Sequence, residues 1–204
     1  MTASPTAGLR SGAFATALAG AVLLLLLQAA PGLHAVLEYR RQALPAEPWR
    51  LLTAHVVHVN WIHALVNAGA WLALALLFER SLDARRQLLC LVLSGISIAF
   101  ALAWLYPSVT WYRGASGMLH ALFFAGASME LVAALQRRSR PALLLAFMLL
   151  AGGGLKIALQ LPDAGATPYV GWLDATTVPQ AHLLGALFGV PLGVLVALFP
   201  RVGR

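Results

Sequence analysis

Ser116 stands in the stretch RGASGMLH, with Gly114 and Gly117 close on either side. Glycines there let a backbone turn sharply and approach another chain closely. A serine at the point where a loop enters a helix also has backbone N–H groups beside it that lack intrahelical partners and can hold a developing oxyanion. The chemistry this permits is acyl transfer. The same residues also read as a helix N-cap serine with glycines for close packing, so the motif alone leaves both readings open.

A serine nucleophile needs a base within hydrogen-bond reach. The stretch VPQAHLLGALFGVPLG offers His182, followed at i+3, i+7 and i+11 by Gly185, Gly189 and Gly193 on the same helical face. Gly117, Ala121 and Ala125 repeat at a spacing of four on the helix that carries Ser116. Two such ridges permit close helix approach and would bring Ser116 and His182 together, although packing alone also accounts for them. His120 is a rival base one turn from Ser116, but i,i+4 side chains point along a helix rather than at one another.

A second cluster lies in HVVHVNWIHALVN, which carries His55, His58, His63 and Asn67. Metal binding is the obvious alternative for it, yet the three histidines do not form one helical face and no Asp or Glu lies nearby. His63 and Asn67, at i and i+4, do share a face. Two hydrogen-bond donors at one depth suit oxyanion stabilisation, and interhelical hydrogen bonding is the plainer reading.

The elements that must position these residues are apolar helices. Of 204 residues, 60% are hydrophobic and 10% charged, against roughly 45–50% and about 25% in soluble domains. That balance excludes an ordinary water-soluble enzyme, and it excludes disorder. The single cysteine, Cys90, excludes a disulfide framework and a thiolate zinc site. Lys+Arg 14 against Asp+Glu 7 gives a formal charge of +7. The charges punctuate long apolar runs and form no basic face for nucleic acid.

Six helices are expected, near 13–30, 60–78, 87–105, 115–135, 141–160 and 180–198, in one domain covering 1–204 with its core at about 45–200. The first run has a signal peptide as its alternative reading, although its cleavage pattern around Gln28 to Ala30 is poor. Arg10, Arg80, Arg85, Arg86, Arg137, Arg138, Arg140, Arg201 and Arg204 fall on one side, and Arg40, Arg41, Arg50, Arg113 and Lys156 on the other. The positive-inside rule then puts both termini in the cytoplasm. Pro31 to Val59, Tyr106 to Arg113 and Leu161 to Pro179 become outer segments, with WRLLTAHVVH suited to lie half-buried in the outer leaflet. Lys156 is expected to snorkel to the outer interface, and Glu130 to pair with Arg137 or Arg138 near the inner end.

In chain order, WRLLTAHVVH, His63 and Asn67 as H-x-x-x-N, Glu79 after that helix, GASG and AHLLGALFG together resemble the rhomboid family of intramembrane serine proteases. The resemblance implies an all-α integral membrane protein, a six-transmembrane-helix rhomboid-like bundle. By the same resemblance Ser116 is the nucleophile, and His182 the general base and acid of a dyad without a carboxylate. His63, Asn67 and the Ser116 backbone N–H then form the oxyanion hole.

Within the family, YRGASGMLH resembles the rhombosortases, with Arg113 before Gly114 and His120 where many rhomboids have the Tyr that stacks on the catalytic His. Gly114, Gly117 and His120 are expected beside the substrate. Asp174 and the stretch Gly152 to Lys156 (GGGLK) are read with the subgroup pattern and carry no assigned chemistry. The implied substrates are single-span membrane proteins, secreted or surface-bound, ending in a Gly-Gly-type tail. The implied place is a bacterial inner membrane, with the active site toward the periplasm. No cofactor, metal or nucleic acid is called for.

Two other classes compete. One is a catalytically inactive rhomboid-like scaffold or chaperone that binds membrane helices; the presence of nucleophile, base and both side-chain donors argues against it. The other is a small transporter with a histidine proton path; every histidine sits toward one side, leaving the inner half without a polar route.

Overall fold

The computed structural model describes residues 5–161, 169–171 and 175–199. Asp174, Arg201 and Arg204 lie outside them. The chain runs through α1 (Pro5–Gln28), the short α2 (His34–Leu37), β1 (Tyr39–Arg40), α3 (Arg50–Thr53), α4 (Trp61–Leu77) and α5 (Ala84–Leu105). Then come β2 (Trp111–Tyr112), α6 (Ser116–Gln136), α7 (Arg140–Gln160), β3 (Tyr169–Val170), β4 (Ala175–Thr176) and α8 (Pro179–Leu198). Two antiparallel ladders of two residues each, Tyr39 and Arg40 on Tyr112 and Trp111, and Tyr169 and Val170 on Thr176 and Ala175, are the strand pairing among the described residues.

A helix forms at each of the six expected places, because each apolar run satisfies its own backbone without water. Their lengths differ in consequence. Four helices, α5 to α8, are individually long and apolar enough to cross a bilayer. Gly12–Gln28 meets that test together with Pro31–Leu37, bent by 88° between the two. The helix α4 has 17 residues, roughly 25 Å at 1.5 Å per residue, short of the hydrocarbon thickness of about 30 Å. Six full crossings are therefore more than these helices establish by themselves.

The centre of the bundle is α6, with 61% of its apolar window buried against 11% for α7. Burial of α6 follows from its small-residue ridge. A Cβ on Gly185, Gly189 or Gly193 would collide with the backbone of Gly117, Ala121 or Ala125 respectively, so the two expected ridges interlock. On the opposite side Gly20 of α1 leaves room for the Trp71 ring of α4. The Trp71 indole N–H donates to Gln87, whose amide donates to the Ala13 and Leu82 carbonyls, satisfying a fully buried polar side chain.

The segment from Pro31 to Val59 is stapled to the bundle rather than left loose. Arg50, 5% exposed, donates to the carbonyls of Ala35 and Glu38 at 2.9 and 2.6 Å and pairs with Glu47. Thr53 Oγ1 donates to Leu37 O at 2.7 Å, and His55 bonds the Gly95 carbonyl at 2.9 Å. WRLLTAHVVH thus folds against α2 and α5, with Trp49 partly exposed.

Glu38, 1% exposed, is the hub of this layer. Its carboxylate accepts from Arg40 Nε at 2.5 Å, Trp111 Nε1 at 2.8 Å and Arg113 Nε at 2.6 Å. Burial acts to raise its pKa, but hydrogen bonds from Trp111, Arg40 and Arg113 and the Arg113 charge outweigh it and hold the carboxyl below its ordinary value. The stabilisation is full above the ordinary carboxylate range and disappears as pH falls through the depressed value. Glu38→Gln is expected to cost about 1.5–3 kcal/mol, read as a lower melting temperature in detergent at neutral pH. The wild-type and variant melting curves should converge on acidification; superimposable curves at neutral pH would show that the hub is dispensable.

Candidate active site

Ser116 is the first residue of α6, and Ala115 occupies the N-cap without a side-chain hydrogen bond. The serine is therefore not the helix cap. Its hydroxyl lies 2.9 Å from Nε2 of His182 instead. Because Leu119 N–H is the one that reaches back to the Ala115 carbonyl, the N–H groups of Ser116, Gly117 and Met118 precede the first helical bond and lack intrahelical acceptors.

The turn that delivers Ser116 depends on Gly114, which has φ +123°, a backbone conformation open to glycine and strained for other residues. A Cβ there would also collide with the His63 imidazole. The turn is pinned from three sides. Gly114 N–H donates to Ala54 O at 3.0 Å, the Tyr112 hydroxyl donates to Gly114 O, and Ala115 N–H donates to His58 Nε2 at 3.4 Å. His55 packs edge-on against Tyr112. The three histidines of the second cluster thus face a carbonyl, an N–H and the Gly114 turn; they do not converge on one point.

His182, 6% exposed, is held on three sides as well. Its Nε2 meets Ser116, its Nδ1 meets Oε1 of Gln160 at 3.0 Å, and its ring stacks on His120 with centroids 4.2 Å apart and planes 17° apart. His120 does not meet the Ser116 hydroxyl: its Nδ1 bonds the Ser116 carbonyl at 2.7 Å, one turn back along the helix. Its other nitrogen, Nε2, accepts from Lys156 Nζ at 2.8 Å. Lys156, expected at the outer interface, is exposed and lines the same cavity as His120.

His63 and Asn67 project from α4 toward the same space. Asn60 caps α4 by accepting from His63 N–H at 2.8 Å, which fixes the first turn. Asn67 Nδ2 donates to His63 O at 2.9 Å, and an amide nitrogen carries a second proton. Both residues are buried, and His63 Nδ1 has no hydrogen-bond partner among the described residues.

Ser116, His182, His120, Lys156, Gln160, His63 and Asn67 line one cavity of about 610 Å³. The helices α4 and α7 form opposing walls, with Val66 and Ala70 on one and Gly152 and Gly153 on the other, and Ser116 and His182 lie at its polar end. Gly114 and Gly117 do not line it. Gly117 instead packs under α8, where a Cβ would lie 3.1 Å from Ala181 O. Of the three residues expected beside the substrate, His120 lines this cavity.

Gln160 was not singled out from sequence, although a polar residue one turn beyond Lys156 on an apolar helix was the available signal. Glu38 was also passed over, since only its fold-back onto Arg113 reveals it. Glu130 accepts from the Ser81 hydroxyl across the helix connection, in place of the expected Arg137 or Arg138.

Among known protein families, the Rhomboid domain matches residues 45–199, about three quarters of the chain. No curated protein matches it. The order of the motifs, the apolar helices and this match lead to one conclusion: the chain belongs to the rhomboid family, multi-pass membrane proteins whose members are intramembrane serine proteases acting on transmembrane substrates.

Proposed function

We propose that this protein is an active intramembrane serine endopeptidase that uses Ser116 and His182 as its dyad. The observation that carries this reading is the 2.9 Å contact between Ser116 Oγ and His182 Nε2 at the polar end of a cavity between apolar helices. Ser116 Oγ attacks the scissile carbonyl carbon and its proton passes to His182 Nε2. The oxyanion accepts from the Ser116 backbone N–H, the free amide proton of Asn67 and the His63 ring. On collapse His182 returns the proton to the leaving amine, the peptide C–N bond breaks, and an acyl-enzyme remains on Ser116. Water, giving a proton to His182, then adds to the acyl carbon, the ester C–O bond breaks to release the acid, and His182 returns the proton to Ser116 Oγ.

The proposed substrates are C-terminal membrane-anchoring tails of the Gly-Gly type on secreted or surface proteins. The support is the rhombosortase-like stretch YRGASGMLH, a sequence analogy. A tail helix would enter between α4 and α7, and its glycines would lower the cost of unwinding at the serine. The asymmetry of arginines supports cytoplasmic termini, six crossings and a site facing the periplasm of a bacterial inner membrane. The presence of nucleophile, base and both side-chain donors around one cavity favours the protease over the scaffold.

The test is a co-expressed reporter ending in a Gly-Gly motif, a membrane helix and basic residues. Wild type should cleave it and Ser116→Ala should not. Fluorophosphonate labelling of Ser116 without reporter cleavage would keep the protease and discard this substrate class. Loss of labelling as well would favour the inactive scaffold.

A further inference from the structure

The outer end of α7 carries two polar side chains one turn apart, Lys156 and Gln160, in a stretch that is otherwise apolar from Pro141 to Pro162. An i,i+4 pair shares a helix face, and here each member meets a different imidazole. Lys156 Nζ donates to His120 Nε2 at 2.8 Å, and Gln160 Oε1 sits 3.0 Å from His182 Nδ1.

The proton inventory gives the second contact its meaning. A neutral imidazole has one donor and one acceptor nitrogen. Ser116 can give up its proton only to the acceptor, which is Nε2 at 2.9 Å. Nδ1 must then carry the hydrogen, and a side-chain carbonyl oxygen is the partner it needs. In the reversed tautomer Nε2–H would donate to Ser116 Oγ and could not take the serine proton, and Gln160 Oε1 would face a bare nitrogen.

We propose that Gln160 is a positioning residue for the dyad: its side-chain carbonyl accepts the Nδ1 proton of His182, holding the tautomer and ring orientation in which Nε2 takes the Ser116 proton. The inference rests on the protease reading above. In charged triads a carboxylate fills this place and stabilises the imidazolium that forms. At membrane depth an uncharged amide is less costly to bury than a carboxylate. It orients the ring with a dipole, while the His120 face fixes the ring's tilt from the other side.

Gln160→Met keeps the side-chain length and removes the acceptor. The expected result is a kcat about 10- to 100-fold lower, the size seen when a partner that orients a ligand is lost, and well under the roughly 10⁴-fold effect of losing a charged triad carboxylate. KM and melting temperature should stay within error, since the change acts on the reacting group and not on the apolar walls. Gln160→Glu, which keeps the acceptor, should recover most of the rate. In protein labelled at histidine nitrogen, the hydrogen-bonded Nδ1 proton of His182 should be visible in wild type and lost in Gln160→Met, whether or not a substrate is in hand.

A Gln160→Met enzyme with wild-type kcat would overturn the inference. Equal losses in Gln160→Met and Gln160→Glu, accompanied by a lower melting temperature, would overturn it too by making the residue a structural support. Wild-type protein that shows the Nδ1 proton yet neither labels with fluorophosphonate nor cleaves any reporter would overturn the protease reading instead, and the role with it.

Discussion

Ser116→Ala and His182→Ala are each expected to lower the rate of peptide-bond cleavage by about 10⁶-fold, with the double variant no worse than either single one. The two groups act as a unit. Without the 2.9 Å partner at His182 Nε2, Ser116 keeps its proton and is a poor nucleophile; without Ser116, the imidazole has nothing to activate. Both changes remove atoms at the wall of a cavity and leave the interlocked ridge of α6 and α8 in place, so folding should survive. The measurements are turnover of a membrane-embedded reporter and fluorophosphonate labelling, with a thermal melt as the control. Normal turnover by Ser116→Ala would refute the mechanism outright.

His63→Ala and Asn67→Ala are each expected to lower kcat by about 10²–10³-fold, the size of losing one oxyanion donor. Their donors matter when charge develops on the carbonyl oxygen, so KM should change little. Asn67 also donates to His63 O, a bond internal to α4, whose removal costs about 1 kcal/mol. The melting curve separates that structural part from the kinetic one. A fall confined to KM, with kcat preserved, would move both residues from oxyanion binding to substrate binding.

The helices were legible because a bilayer imposes one rule that sequence records directly. Each spanning segment must be long, apolar and internally hydrogen-bonded, and the runs around Ala84–Leu105 and Ser116–Gln136 meet it with ends within a few residues of those expected. The meeting of Ser116 with His182 was legible for a related reason: glycine and alanine at helical spacing leave only one side on which α6 and α8 can approach closely. The first helix was less so, since it begins at Pro5, well before the expected start, and is followed by an 88° bend.

What sequence by itself determined is the family, the helical architecture and the two small-residue ridges that bring Ser116 and His182 together, all carried by local spacing and apolar run length. Only the tertiary structure decided which polar group meets which. Lys156 bonds His120, Gln160 bonds His182, Glu130 bonds Ser81, and Glu38 gathers Arg40, Trp111 and Arg113. The physical reason is range. Apolar periodicity is written within a single helix, whereas these hydrogen bonds join residues 22 to 75 positions apart, the Glu38–Arg40 pair excepted, and their partners are chosen by how the helices pack.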